Sequence, residues 1–342
     1  MKKNTGTLTL SSAEDDKTFT YSGPTRVEAG KLMLATGNSI TGTETLDVSA
    51  KTDEATFTIQ GTATVRDNVV LAWEAAAGSL STLELDGSTL EAANILSARK
   101  ADETGRIRLS MKEGATVKLH GTGTLFENFD TRSASEGGKG DVVELGTNGA
   151  TLSVEAGEVI TQAATAAISK AAGATDTTLV KTGAGELQLA AKNTFGGKVI
   201  IKEGRLTYGA GGVSTESSLT GNTDAVELAS AGTNAPAQFA VNFSDTWTVD
   251  RDITGAGDFV QEGSGTTVVN RALQHSGRTL IRGGVLELSD GGVLGTGTSA
   301  IDTGEGDQSG LLAFNQTGEH TWSRGLTGTG GIVKKNTGTL TL

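Results

Sequence analysis

The chain has 342 residues, with 49 glycines, two prolines, no cysteine and only 4% aromatic residues. Its formal net charge of -12 argues against nucleic acid or anionic lipid as a partner, because both require clustered Lys or Arg. The absence of cysteine excludes disulfide bonds and thiolate metal sites, so packing and hydrogen bonds must stabilise the fold.

The first ten residues, MKKNTGTLTL, contain two lysines but no apolar stretch behind them, so they do not resemble a signal peptide. No later segment approaches the roughly 20 apolar residues that a membrane-spanning helix requires. We therefore expect no direct membrane insertion of this segment. If the parent protein is secreted, its export signal lies elsewhere.

Apolar residues alternate with polar ones along most of the chain, in runs of about four to six residues that end at Gly, Asn or Asp. Such runs predict short strands joined by tight corners. The clearest alternating apolar sets are Leu46 and Val48; Phe57 and Ile59; Leu83 and Leu85; Ile107, Leu109 and Met111; Val117 and Leu119; Leu152 and Val154; Leu187 and Leu189; Leu286 and Leu288.

Two segments depart from this alternation. Thr161 to Ala172 is rich in alanine and predicts either a short helix or a coil of small residues. Residues 211–238 are polar, rich in Gly and Ser, and poorly alternating, so we predict either a protruding loop or an irregular coil there.

The segment Lys2–Leu10, KKNTGTLTL, is repeated without change as Lys334–Leu342. The favoured interpretation is that the chain spans one period, plus a short overlap, of a longer tandem array. The alternative is that the two ends pair with one another or between chains.

A second repeat lies inside the chain. The segments LVKTGAGELQL, FVQEGSGTTVV and IVKKNTGTLTL begin at Leu179, Phe259 and Ile332. We predict that their Leu and Val side chains point inward, that the intervening Thr and Lys face solvent, and that their glycines occupy corners. Together with the alternation, this predicts an all-β fold, a right-handed parallel β-helix (β-solenoid), continuous over residues 1–342.

These segments resemble the autotransporter-associated β-strand repeat, a repeat of bacterial passenger regions. The first copy carries Lys181, Gly183, Gly185, Leu187 and Leu189, followed by Asn193, Thr194 and Gly197. The matching residues of the other copies, with a Thr-Trp pair upstream of each, are Gly263, Gly265, Gly338, Leu340, Leu342, Trp247 and Trp322. The resemblance implies a passenger that is extracellular or at the bacterial cell surface, exported through a signal and a barrel outside this segment.

The sequence offers little catalytic chemistry. The histidines His120, His275 and His320 are far apart in polar surroundings, and we interpret them as solvated. Some β-helices cleave polysaccharides with clustered carboxylates. The two clusters of this kind are Glu84, Asp86 and Glu91, and Asp250, Asp252 and Asp258. We interpret both as a solvated outer face, and we predict no catalytic, cofactor-binding or metal-binding residues.

Three tryptophans are candidates for sugar contact. Trp247 and Trp322 occupy equivalent places in the internal repeat, so we predict that they pack at a coil corner. Trp73 stands outside the repeat and is the better candidate for surface contact.

We therefore expect a structural or adhesive passenger, either a stalk or a self-associating adhesin unit. Its expected partners are further copies of the repeat, in tandem or in neighbouring rods, and a glycan or protein of a host or cell surface. Two alternatives are a polysaccharide-degrading β-helix enzyme and a subunit that assembles end to end into a filament. Carboxylates gathered in one lateral groove beside aromatic residues would favour the enzyme.

Overall fold

A computed structural model of the chain describes residues 1–12, 17–100, 102–215, 225–229, 235–295 and 300–342. Within them the chain forms two compact units. The first contains Met1–Val180 and Ala191–Gly197, and the second contains Lys181–Ala190, Lys198–Ser218 and Thr223–Leu342.

Three ladders of parallel strands build the first unit, and the chain visits them in turn. The first ladder is Thr7–Leu10, Gly30–Leu34, Glu54–Ile59, Leu80–Asp86, Arg106–Lys112, Val142–Leu145 and Ile168–Lys170. The second contains Thr18–Thr20, Ser39–Thr43, Thr62–Val65, Thr89–Ala92, Ala115–Leu119 and Ala150–Val154. The third contains Thr25–Val27, Leu46–Val48, Val69–Leu71 and Ile95–Ser97, and Gly123–Leu125 pairs with Val159–Gln162.

The register of the first ladder fixes the length of a coil. Leu32 pairs with Phe57, Phe57 with Leu83, and Leu83 with Leu109, so the coils between these pairs are nearly equal in length. The side chains of these four residues are buried and stack on one another. Burying an aliphatic or aromatic side chain of this size contributes about 1.5–3 kcal/mol, and every coil repeats that contribution.

The next coil is longer, because Leu109 pairs with Val143. Its extra residues include the 3-10 helix Ala134–Glu136, which is followed by residues 137–140 and then Asp141. The carboxylate of Asp141 accepts hydrogen bonds from both terminal nitrogens of Arg99, at 2.8 and 2.7 Å. It also accepts the backbone N–H groups of Ile107 and Asp130, both at 2.9 Å. Both side chains of this ion pair are almost fully buried, so it fixes the longer loop to the coil before it.

The second unit also stacks its strands in parallel. Its longest ladder contains Glu186–Leu189, Arg205–Tyr208, Gln238–Val241, Asp258–Gln261, Thr279–Ile281, Ile301–Asp302 and Leu326–Thr327. The others are Val199–Ile201, Val226–Leu228, Ile253–Gly255 and Gln274–His275; Thr246–Thr248, Thr266–Val269, Val285–Ser289, Leu311–Asn315 and Gly331–Lys334; and the pair Glu319–Thr321 with Thr339–Thr341. The strand Leu179–Thr182 contains residues of both units. Gly304–Glu305 and Gln308–Ser309 pair antiparallel.

Some coils of the second unit are shorter, since Phe239 pairs with Phe259 and Phe259 with Thr279, whereas Leu206 pairs with the more distant Phe239. The core of this unit is richer in aromatic residues than that of the first. Tyr208 packs edge-on against Phe243 and stacks at 6.3 Å with Phe239. Large rings therefore fill much of the interior of the second unit.

The predicted parallel β-solenoid class is confirmed, and each apolar residue of the alternating sets predicted from the sequence is buried. The helix alternative for Thr161 to Ala172 is wrong, since this segment contains parts of the strands Val159–Gln162 and Ile168–Lys170. Both strands join existing ladders, which satisfies their backbone groups without a helix.

The loop predicted for residues 211–238 lies partly outside the described residues, at 216–224 and 230–234. In its described part, Val226–Leu228 is a strand with two buried side chains, paired on both edges with neighbouring coils. Residues 226–228 therefore belong to the solenoid wall. No helix in the described part of the chain is long and apolar enough to span a membrane.

Candidate functional site: repeat corners and the Trp73 surface

The lysine of the first internal repeat points inward. Lys181 is in phase with buried Leu179 and is itself fully buried. Its ammonium donates hydrogen bonds to the carbonyl oxygens of Thr182 and Gly183, both at 2.7 Å, and of Glu203 at 3.2 Å. Burial lowers the pKa of Lys181 to about 8, so the side chain keeps most of its charge at pH 7. The prediction that the lysine faces solvent is wrong here, because the turn presents carbonyl groups that need a donor.

The other copies of the repeat place a donor at the same corner. The Lys2 ammonium contacts the carbonyl of Asn4 and donates to that of Ala29 at 3.3 Å. The Gln261 side chain replaces the lysine and donates to the carbonyl of Gly263 at 2.8 Å. Lys334 donates to the carbonyl of Asn336 at 3.0 Å. A side-chain donor that caps the turn after it is thus a shared element of the repeat.

In the copies that contain Lys181 and Lys2, the coil that follows the corner places a glycine against it. Gly204 has φ +68°, and a Cβ there would lie 2.3 Å from the carbonyl oxygen of Gly183 and 2.6 Å from that of Gly185. Gly30 has φ +67° and would meet the oxygens of Asn4 and Gly6 at the same distances. A side chain at either position would be both strained and blocked. The sequence pattern that ends each repeat in Gly-x-Leu contains this glycine.

The predicted repeat residues fall into two environments. Leu187 and Leu189 are fully buried, and at Gly263 and Gly265 a Cβ would lie within van der Waals overlap of a carbonyl oxygen of the previous coil. In the last copy, Gly338 likewise lies against the preceding coil, but Leu342 is 73% exposed.

The two tryptophans of the repeat pack differently. Trp247 is buried and meets the ring of Tyr208 edge-on at 5.4 Å. Trp322 is half-buried and lies edge-on to Phe314 at 5.2 Å, beside a cavity of about 280 Å³.

Trp73 lies half-buried between two cations. The guanidinium of Arg26 is 4.6 Å from the centroid of its ring, and the Lys51 ammonium is 5.0 Å from it. Arg26 is held by an ion pair with Asp47 at 2.7 Å, and Lys51 donates to the Trp73 carbonyl at 2.8 Å. Burial raises the pKa of Asp47, against the opposing effects of Ser49 and Arg26.

The backbone around Trp73 is also unusual. Ala72 and Glu74 on either side of it have φ of +59° and +48°, which non-glycine residues rarely adopt. Arg26 and Lys51 both lie over the Trp73 ring, so each makes a cation–π contact with it. We call Trp73, Arg26 and Lys51 the Trp73 surface. Sequence reasoning identified Trp73 but missed the two cations, which lie two coils and one coil earlier in the chain.

The carboxylates considered for catalysis are distributed among structural ion pairs. Glu84 accepts hydrogen bonds from Lys112 and Thr58. Burial alone would raise the pKa of Glu84, but these hydrogen bonds hold that pKa below its ordinary value. Asp258 accepts a hydrogen bond from Arg278 at 2.7 Å. Three of the remaining carboxylates form ion pairs: Asp86 with Lys112, Asp250 with Arg251, and Asp252 with Arg271. The last, Glu91, is half-buried on a strand.

The histidines do not form a common site. His120 and His320 are half-buried, but His275 is fully buried beside Phe259, so the interpretation of His275 as solvated is wrong. The alternation of Gln274–His275 turns its ring inward, where it lies 3.1 Å from the hydroxyl of Thr279. Within the described ranges, no group of three or more His, Asp or Glu side chains is placed to hold a metal ion.

The geometry defines a parallel β-solenoid whose repeats are stacked coils with capped corners. Residues 2–34, 179–207 and 259–288 match the family model described as passenger-associated-transport-repeat. The sequence-based recognition of autotransporter passenger repeats is thereby confirmed, and this family is not an enzyme family. Searches of curated proteins and of solved structures found no match.

Each matched segment spans one full coil and ends on the strand that pairs with its own beginning. Thr7–Leu10 pairs with residues 31–34, Glu186–Leu189 with Arg205–Tyr208, and Thr266–Val269 with residues 285–288. In these three segments the family repeat therefore corresponds to one coil of the solenoid.

Proposed function

We propose that this chain is a structural and adhesive segment of an autotransporter passenger, displayed at the bacterial cell surface. The observation that supports this most strongly is the coincidence of the matched repeats with single coils, each paired in parallel with the next. Such a repeat extends a protein along one axis without requiring a larger core. Passenger repeats imply secretion to the cell surface.

The distribution of charge supports a structural role over the enzyme alternative. A glycosidase needs two carboxyl groups at a defined separation, one of them with a raised pKa. Glu84 and Asp258 are instead hydrogen-bonded to cations. Burial does raise the pKa of Asp47, but this carboxyl group is bonded to Arg26 and Ser49.

For the adhesive part of this function, the Trp73 surface is the proposed contact with a glycan or protein of another cell. It joins a half-buried aromatic ring to two cations; Arg26 is paired with Asp47, and Lys51 lies 3.8 Å from the exposed Glu74, so an acidic ligand would compete with Glu74 for the lysine. Replacing Trp73 with alanine should reduce attachment of the bacteria to a glycan-coated surface. A Val159→Ala change, at an exposed strand position away from Trp73, should not. Equal attachment of both variants would remove the Trp73 surface from the proposal.

The location can be tested with a single introduced cysteine, since the chain has none of its own. Val159 is 38% exposed and Ala150 is 1% exposed. In the bacterium that encodes this chain, Val159→Cys should react with a membrane-impermeant maleimide on intact cells. Ala150→Cys should react only after denaturation. Labelling of Val159→Cys that requires lysis of the cells would contradict surface display.

The length of the solenoid can be tested by small-angle scattering. A continuous stack over residues 1–342 should give a maximum dimension of at least about 70 Å, from a coil spacing of about 4.8 Å. A pair-distance distribution with two separate compact lobes would contradict the continuous stalk.

A further inference from the structure

The nonapeptide shared by both ends has a different neighbour at each end. At the start of the chain, Thr7–Leu10 pairs with the coil that follows it, in the register Leu8 to Leu32 and Leu10 to Leu34. At the end, Thr339–Thr341 pairs with the coil that precedes it, in the register Leu340 to His320. One sequence is therefore seen with its following coil in one place and its preceding coil in the other.

The two neighbours use different hydrogen-bonding groups of the nonapeptide. The following coil uses the N–H and C=O of Lys2 and the C=O groups of Gly6 and Leu10. The preceding coil uses the N–H groups of Lys335 and Thr339 and the C=O of Thr341, which correspond to Lys3, Thr7 and Thr9. Because the two sets share no group, one copy of the nonapeptide can bind both neighbours at once.

The side chains lead to the same conclusion. Leu8 and Leu10 line a cavity of about 310 Å³ with Phe19 at the first end. Their counterparts Leu340 and Leu342 line cavities beside Trp322 at the other. Each leucine pair is packed on one side and open on the other, so each edge can accept a further coil.

We propose that the free edge of Lys334–Leu342 is the docking surface for the strands Thr25–Val27 and Gly30–Leu34 of a further copy of this chain, joined to Leu342 in a tandem array. Thr339, Leu340, Thr341 and Leu342 then pair with Lys31, Leu32, Met33 and Leu34 of the added period. The Ala29 carbonyl accepts the Lys334 ammonium as it does that of Lys2, and Gly30 lies over the turn at Asn336. This inference rests on the proposed passenger function, in which repeats lengthen a stalk.

A two-period chain tests this docking, made of residues 1–342 followed directly by a second copy of residues 11–342. It carries Thr341→Cys in the first period and Met33→Cys in the second. Thr9 pairs with Met33, so the new cysteines would face each other about 4.8 Å apart between Cα atoms, within disulfide range. Mild oxidation should form this disulfide at least about tenfold more than in a control with Lys31→Cys, which lies out of register with position 341.

In a second control, the strand that contains Met33 is already paired with the Lys2–Leu10 segment of its own copy. Two complete chains joined by a flexible linker retain Lys2–Leu10 in the second copy, which already covers Met33. With Thr341→Cys in its first copy and Met33→Cys in its second, this linked chain should not form the disulfide.

Three results would overturn the proposal. They are equal disulfide yields at positions 31 and 33, equal yields with and without the retained Lys2–Leu10, and a second period that unfolds as a separate transition with no disulfide formed. The surface-labelling result for Val159→Cys is independent of all three, so failure of the docking and failure of the passenger function can be distinguished.

Discussion

Replacing Asp141 with alanine should destabilise the first unit more than any surface substitution. The change removes four hydrogen bonds and leaves the Arg99 guanidinium, 3% exposed, without its counter-ion. Breaking a buried ion pair from one side costs about 3–5 kcal/mol. We expect about 4 kcal/mol, which at a urea dependence of about 3 kcal/mol per molar lowers the unfolding midpoint by roughly 1.3 M.

The assay is urea unfolding followed by circular dichroism, with two comparisons. Lys100→Ala removes an exposed contact with Glu74 at 3.8 Å and should change the free energy of unfolding by less than about 0.5 kcal/mol. The double change Arg99→Met with Asp141→Leu should be less destabilising than Asp141→Ala alone, because no unpaired charge remains buried. A loss below about 1 kcal/mol for Asp141→Ala would refute the assigned role of the pair.

Three further predictions concern the repeat corners and the buried histidine, all read by chemical unfolding. Gly204→Ala should cost at least about 3 kcal/mol, whereas Gly306→Ala, at φ +55° with open space around it, should cost only the about 1–2 kcal/mol of backbone strain. Lys181→Gln should stay within about 1 kcal/mol of the parent, since Gln261 occupies the equivalent corner, whereas Lys181→Ala should lose about 2–3 kcal/mol. Burial lowers the pKa of His275 from 6.5 to about 4, so the unfolded chain binds the proton first as pH falls. Stability should therefore decline by up to about 3 kcal/mol between pH 6.5 and 4, relative to a His275→Gln variant.

Each of these predictions has a clear contrary result. Equal losses for Gly204→Ala and Gly306→Ala would show that the close approach of Gly204 to the lower turn is unimportant. Equal stability of Lys181→Ala and Lys181→Gln would remove the capping role of the ammonium. A pH profile that is the same with and without His275 would show that its imidazole is not protected from protonation in the folded chain.

Period-two alternation predicts strands, and together with the internal repeat it predicts the solenoid class. Inward positions of a narrow tube must be apolar, so pairs such as Leu83 and Leu85 mark the core in the sequence itself. The helical pattern was weak in Thr161 to Ala172, and there the ladder on each side decided the structure. Register with a neighbouring coil is a long-range property that local propensity does not contain.

The candidate site was predictable only in part. Lys181 is predicted to face solvent as one of the residues between the apolar positions, although its spacing of two from Leu179 places it on the inward face. The partners of Trp73 could not be found from local sequence, since Arg26 and Lys51 reach it across stacked coils. Aligning the sequence with itself at an offset of one coil places Lys51 close to Trp73, and this offset is the one feature of the sequence that indicates the contact.

Coil length varies without disturbing the ladders. Leu83 pairs with Leu109, Leu109 with the more distant Val143, and Phe239 with the nearer Phe259, yet all three pairs lie in parallel register. Extra residues are accommodated sideways, in loops such as the one closed by Arg99 and Asp141. Insertions can thus add new loops to the lateral surface while the axial rise per coil stays constant. The surface available for binding can therefore change without a change in the length of the solenoid.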